Sequence, residues 1–168
     1  MSRFETCLPY TLSEEGGYSD NPADPGGPTN LGITLADLSA WRGHPCTADD
    51  VRALTETEAA AIYERDYWLP LRCDAVPVGL DLALFDAGVN CGVGWAIRAL
   101  QGCLVVPQDG AFGPVTQGAC QKADLPALIN GFCSARIDHY RSLPTFDLFG
   151  DGWLARTNRI RSAALSMI

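Results

Sequence analysis

Between Glu14 and Thr34 the chain carries five glycines and three prolines. At that density neither an α-helix nor a central strand persists, because proline lacks a backbone donor and glycine disfavours regular structure. The same stretch holds two separated acidic positions, Glu15 and Asp24, and a tyrosine, Tyr18. It is poor material for a core and good material for a site, so the rest of the chain must supply the packed framework on either side of it.

That framework is affordable in size. With 168 residues, 47% of them hydrophobic, the chain fits one compact domain, or two small subdomains sharing a core. No run approaches the roughly 18–20 apolar residues of a membrane span. The start, Met-Ser-Arg-Phe-Glu-Thr, lacks the basic patch and apolar segment of a secretory signal. The reading is therefore a protein made in the cytoplasm without a signal peptide, whose export would use another route. Seven cysteines, at 7, 46, 73, 91, 103, 120 and 133, are odd in number and form no CxxC pair, which argues for reduced, mostly buried thiols rather than a disulfide framework or zinc site. A net charge of −8 disfavours nucleic acid and anionic lipid as partners, since both are bound by neutralising phosphate. The charge is uneven: five arginines face three acids between Arg136 and Arg161. That run reads either as a basic surface for an anionic polymer or as an ordinary solvated helix surface.

Helical periodicity dominates. Phe4, Leu8 and Leu12 share a face, with Pro9 marking a first turn or a kink, and Glu15 falls about one turn beyond Leu12. Gly16 and Gly17 are expected to end that helix in left-handed geometry. Thr34 with Asp37, Thr47 with Asp50 and Thr55 with Glu58 carry helix-start signals. The first helix ends at Gly43, and the last runs to about Trp68 with Leu69-Pro70 as its stop. An apolar helix covers about 78–89, Asn90-Cys91-Gly92 breaks it, and another follows to about Leu104. Asp109-Gly110-Ala111-Phe112-Gly113-Pro114 reads as a tight turn before a helix from about Thr116. Asp124 with Pro126 opens a helix to Ser142, and the last helix begins near Gly152. Gly88, Gly92 and Gly94 read as sites of close helix approach. Trp41, Trp68, Trp95 and Trp153 read as core. No segment alternates with period two over more than a few residues, so the fold class is mainly α with at most a small β-hairpin in the glycine-rich stretch.

Motifs for nucleophilic serine, phosphate-loop, dinucleotide and zinc-protease chemistry are missing from the sequence. His44 reads as a surface residue in a turn and His139 as a helix residue. A calcium loop through Asp20, Asn21 and Asp24 is discounted, because prolines stand where ligands or the turn glycine belong; no metal and no cofactor is expected. What remains is the carboxylate pair Glu15 and Asp24 across a constrained loop. Hydrolysis of a glycosidic bond needs an acid that protonates the leaving oxygen, and usually a second carboxylate that activates water or stabilises the cationic sugar. A glutamate at a buried helix end is a candidate for the protonated partner. The plainer alternative is a solvated helix-end carboxylate for Glu15 and a turn residue for Asp24.

The run EGGYSDNPADPGGPTNLGIT resembles the signature of the N-acetylmuramidases of glycoside hydrolase family 108: Glu-Gly-Gly-Tyr, then Asp-x-Gly-Gly-x-Thr, then Gly-Ile-Thr. Glu15, Gly16, Gly17, Tyr18, Asp24, Gly26, Gly27, Thr29, Gly32, Ile33 and Thr34 match it. The resemblance implies that Glu15 is the catalytic acid. Phe85-Asp86-Ala87-Gly88-Val89-Asn90-Cys91-Gly92, Ala99-Leu100-Gln101 and Asp109 through Thr116 are similar to the family's second half, a predicted peptidoglycan-binding region; alanine is frequent there where Gly88 stands. A more distant similarity, to the lysozymes of T-even phages, implies that Asp24 and Thr29 position the attacking water.

The resemblance implies a lysozyme-like helical fold, with a catalytic region over 1–76 and a peptidoglycan-binding-like region over 77–168 packed on it, and a cleft between the first loop and the helices after residue 77. The implied activity is cleavage of the β-1,4 bond between N-acetylmuramic acid and N-acetylglucosamine in peptidoglycan glycan strands. Tyr18 would stack on a sugar ring or pack over its own loop, and Asn90 would bond an N-acetyl group. The expected protein is a monomer acting in the periplasm or cell wall, as a phage endolysin released through a holin or as a secretion-associated enzyme that loosens the wall. A non-catalytic peptidoglycan-binding module and a lytic transglycosylase are the alternatives.

Overall fold

The computed structural model describes residues 1–20 and 27–168. Asp24 lies outside the described residues, as does Asn21 of the discounted calcium loop. The chain divides into two compact units, one of Leu8–Asp66 and one of Met1–Cys7 with Tyr67–Ile168.

Helix α1 (Arg3–Leu12) passes through the division with Pro9 inside it. It starts well before Pro9 because Ser2 and Glu5 form a reciprocal cap, the Ser2 hydroxyl accepting from the Glu5 amide and the Ser2 amide donating to the Glu5 carboxylate. In the unit Leu8–Asp66 there follow a hairpin, β1 (Thr29–Asn30) with β2 (Ile33–Thr34), and helices α2 (Leu35–Arg42), α3 (Ala48–Arg52) and α4 (Glu56–Tyr63). The hairpin pairs Thr29 with Thr34 and Asn30 with Ile33. Thr34 and Thr47 form full capping boxes with Asp37 and Asp50, and Gly43 closes α2 at φ 73°. Thr55 accepts from the Glu58 amide, while Glu58 itself is held by a bidentate pair from Arg42, at 2.9 and 2.8 Å. After Tyr63 the chain widens into a π-helical turn, Glu64–Trp68. Leu69-Pro70 does not stop the helix: Pro70 takes an opening position of the short α5 (Leu69–Leu71), where its missing donor costs nothing, and the stop is Arg72 at φ 53°.

The other unit is built on α6 (Leu80–Cys91), buried from Leu80 to Gly88, with α7 (Val93–Cys103), α8 (Pro114–Lys122), α9 (Leu125–Arg141) and α10 (Phe146–Ser166) around it. Phe4, Trp68 and Phe85 meet edge to face in its core, with centroids 5.5–5.8 Å apart. Arg3 ties the first residues to Asp81 at 2.6 Å and to the carbonyls of Asp74 and Val76. Gly88 is a point of close approach, since a methyl there would come within 2.5 Å of Leu71 Cδ1. Gly92 serves differently: nothing lies near it, and its φ of 89° lets α6 turn directly into α7. The motif from Gln101 to Thr116 is structural. Buried Gln101 donates to Asp109, the Ala111 carbonyl and Thr116, and accepts from the Gly110 amide, pinning the turn before α8.

One helix boundary is displaced for a physical reason. Helix α10 begins at Phe146, not near Gly152, because Gly150 leaves room inside the helix for the Phe146 ring, which a methyl would approach to 2.6 Å. The arginine-rich segment 136–161, read as a basic face or a solvated helix surface, is only partly at the surface. Arg136 and Arg156 turn inward onto Asp86, with pairs of 2.6 and 2.8 Å, so two of its five positive charges are buried against one carboxylate and three remain outside. Of the four tryptophans only Trp68 is buried; Trp41, Trp95 and Trp153 are half-buried, Trp41 beneath the Arg65 guanidinium and Trp95 against His139. All seven cysteines are free thiols. No described helix is long and apolar enough to cross a membrane.

Candidate active site

Glu15 stands just past α1. The helix ends at Leu12 and the chain tightens through two short turns, Glu14 amide to Thr11 carbonyl at 3.0 Å and Glu15 amide to Leu12 carbonyl at 3.2 Å. These turns end the helix in place of the expected left-handed glycines, since neither Gly16 nor Gly17 has a positive φ. The result is a half-buried Glu15 side chain directed at the hairpin turn.

That turn is Leu31-Gly32, with φ values of 51° and 75°. Two consecutive left-handed residues make the type I′ geometry that suits a two-residue hairpin. Glycine adopts it freely; a leucine there costs about 1–2 kcal/mol. A side chain at Gly32 is excluded twice over. A methyl group would collide with the Tyr63 hydroxyl, and it would come to 3.0 Å from both Cγ and Oε2 of Glu15. The carboxyl group of Glu15 and the hydroxyl of Tyr63 therefore flank one glycine Cα.

Thr29 sits on the same hairpin, half-buried, paired with Thr34 and bridged to Ser19 by two backbone bonds of 2.9 Å. Asn30 anchors that strand from below, its amide donating to the carbonyls of Val51 and Arg52 at 3.0 and 3.3 Å. Tyr18 packs over its own neighbourhood: the Arg52 guanidinium lies 4.6 Å over its ring and donates to its hydroxyl, which in turn donates to Asp20. One face of the ring is thus occupied. Glu15, Tyr18 and Thr29 all belong to the unit Leu8–Asp66.

Asn90 belongs to the other unit, at the exposed end of α6, which extends through Asn90 to Cys91. Its side-chain carbonyl accepts from the Tyr140 hydroxyl, which is itself the acceptor for Arg136 Nε at 2.7 Å. Behind this chain sits Asp86, 0% exposed between Arg136 and Arg156. Burial raises the Asp86 pKa, but the two guanidinium groups outweigh it and hold the carboxyl below its usual range. Burial also pushes the Tyr140 phenol up, so both groups keep fixed protonation states at neutral pH and Asn90 is held at the end of a rigid relay. His44 is exposed; His139 is half-buried against Trp95, and burial lowers its pKa. Among the described residues no group of three or more His, Cys, Asp or Glu side chains converges as a metal site.

Tyr63 is the residue that sequence reading passes over. It lies on the same face of α4 as Ala59 and Ile62 and reads as core, which at 1% exposure it is. The only signal in the sequence is general: a buried tyrosine hydroxyl needs a partner.

The family model described as Glycosyl hydrolase 108 matches residues 8–92, a span that contains Glu15, Tyr18, Thr29 and Asn90. Among solved structures, the one titled "Structure of Brucella abortus SagA" is 43% identical and superposes with a TM-score of 0.89, covering 98% of this chain and 94% of that one. No curated protein matches.

Proposed function

The chain belongs to glycosyl hydrolase family 108, peptidoglycan-degrading glycoside hydrolases with a mainly α, lysozyme-like fold, and from that premise we propose that it is an N-acetylmuramidase with Glu15 as its general acid. The observation that carries the assignment is the seating of the Glu15 carboxyl against Gly32, at the tip of the hairpin that presents Thr29.

The chemistry follows from the bond. Cleaving the β-1,4 linkage between N-acetylmuramic acid and N-acetylglucosamine leaves an alkoxide unless the bridging oxygen is protonated as it departs. Glu15 gives that proton. The cationic sugar then takes a water whose proton goes to Asp24, with Thr29 orienting the water from β1. Tyr18 binds a sugar ring, and Asn90 recognises an N-acetyl carbonyl through its amide donors. The enzyme works as a monomer on glycan strands of the wall after release from the cytoplasm, through a holin in a phage lysis system or through another export route in a secretion system.

Glu15→Gln removes the proton and keeps the shape. Purified sacculi incubated with the wild-type protein should release fragments with new N-acetylmuramic acid reducing ends by mass spectrometry. Glu15→Gln should reduce the rate at least about 100-fold with thermal unfolding unchanged. Undiminished lysis by the variant sinks the acid assignment, and 1,6-anhydro ends in place of reducing ends convert the reading to a lytic transglycosylase.

A further inference from the structure

We propose that Tyr63 is a positioning residue for the acid: its hydroxyl fixes the Leu31-Gly32 turn so that the Glu15 carboxyl and the Thr29 strand are held in one register. The inference rests on the assignment of Glu15 above.

Three features converge on one Cα. Tyr63, at the last residue of α4, is 1% exposed, so its hydroxyl has been taken out of water and requires a bond in return. That bond goes out of the helix, to the Leu31 carbonyl at 2.9 Å. The same hydroxyl and the Glu15 carboxyl then close on Gly32, where no side chain fits. A tyrosine kept only to fill volume would be equally well replaced by phenylalanine, and nothing would aim its oxygen at a turn.

The turn explains the aim. Leu31 is a non-glycine residue at φ 51°, and such geometry persists only where the surroundings over-determine it. The Tyr63 hydroxyl bonds the carbonyl of that very residue. Relaxing Leu31 would rotate the Gly32 peptide and move the surface against which Glu15 rests, along with β1 and Thr29. The π-helical turn Glu64–Trp68 begins immediately after Tyr63, a local widening common at functional sites. Displacements of about 1 Å in a reacting group can cost about 100-fold in rate, so one hydrogen bond at this point acts on turnover more than on substrate affinity.

The test is Tyr63→Phe, which deletes the oxygen alone, assayed on soluble glycan strands. The expected result is a kcat lowered about 10-fold or more, KM within about twofold of wild type, and a melting midpoint within a few degrees. Gly32→Ala should also lower kcat. In the Tyr63→Phe background its further loss should be smaller than in the wild type, because removing the oxygen opens the space the methyl needs. Wild-type kcat in Tyr63→Phe, losses that simply multiply in the double variant, or a fall in kcat that tracks a large loss of melting temperature would each overturn the positioning role. Should Tyr63→Phe not fold, a folded Gly32→Ala with wild-type kcat overturns it as well. A wild-type protein that releases no reducing ends would instead remove the muramidase reading itself.

Discussion

In the unit of Met1–Cys7 and Tyr67–Ile168 the decisive polar groups are hidden. Asp86 is shut in by Arg136 and Arg156, and Gln101 is buried behind the turn it pins. In the unit Leu8–Asp66 the charged groups lie at element ends instead: the acids of the capping boxes at Thr34 and Thr47, the half-buried Arg42–Glu58 pair, and the Glu15 carboxyl at a strained hairpin tip. A buried ion pair removed from one side leaves a charge with no water to take it, so the first unit tolerates little change. A surface pair is re-solvated when broken, so the second loses little stability with it. The glycine-rich unit can therefore carry geometry chosen for chemistry, whereas the other unit carries geometry chosen for rigidity.

The contrast breaks most visibly at Asp86. Asp86→Asn leaves two buried guanidinium groups uncompensated, for a loss of about 3–5 kcal/mol, or about 10 °C or more in melting midpoint at this size. The pH dependence has a fixed sign. A carboxyl held below its ordinary value when folded stabilises the protein above its unfolded pKa of about 3.9 and loses that contribution as pH falls through the folded value. The acid arm of a wild-type melting profile should accordingly be steeper than that of Asp86→Asn; parallel arms would show that Asp86 is not the group responsible.

Gly88→Ala should rank next. Crowding Leu71 costs about 1–3 kcal/mol, of which the helix preference for alanine returns about 1 kcal/mol, leaving a loss of a few degrees by calorimetry. Its counterpart in the other unit, Gly32→Ala, is expected to cost activity first. The smallest effect belongs to Arg42→Gln, which breaks the pair that holds the Glu58 carboxyl below its usual range. Its midpoint should move by no more than about a degree or two, and a shift as large as that of Asp86→Asn would erase the distinction between the two units.

Much of this was legible from one dimension because the signals are local. Thr34 with Asp37, Thr47 with Asp50, Asp124 before Pro126 and Gly43 after Arg42 each specify a helix boundary through a bond to a residue three or four away. The start of α1 was readable by the same rule at Ser2 and Glu5 and was obscured by Pro9. Boundaries were misplaced where a distant or a bulky partner decides: Gly150 looks like a helix breaker until the Phe146 ring is set against it, and Pro70 looks like a stop until it opens a new turn. The arginines of the last two helices look like a surface because their acid, Asp86, stands fifty residues before the first of them.

The sequence alone determined the helical class, the interruption between Glu14 and Thr34, and the placing of a glutamate just past the first helix, because periodicity, caps and motif spacing are short-range properties of a chain. Which groups surround that acid was decided only in three dimensions. Tyr63 lies 48 residues beyond Glu15 and meets it through a glycine that neither residue adjoins. Such a contact has no local signature: it exists because Leu31 and Gly32 turn left-handed together, with a buried hydroxyl from a separate helix bonded to the carbonyl of that turn.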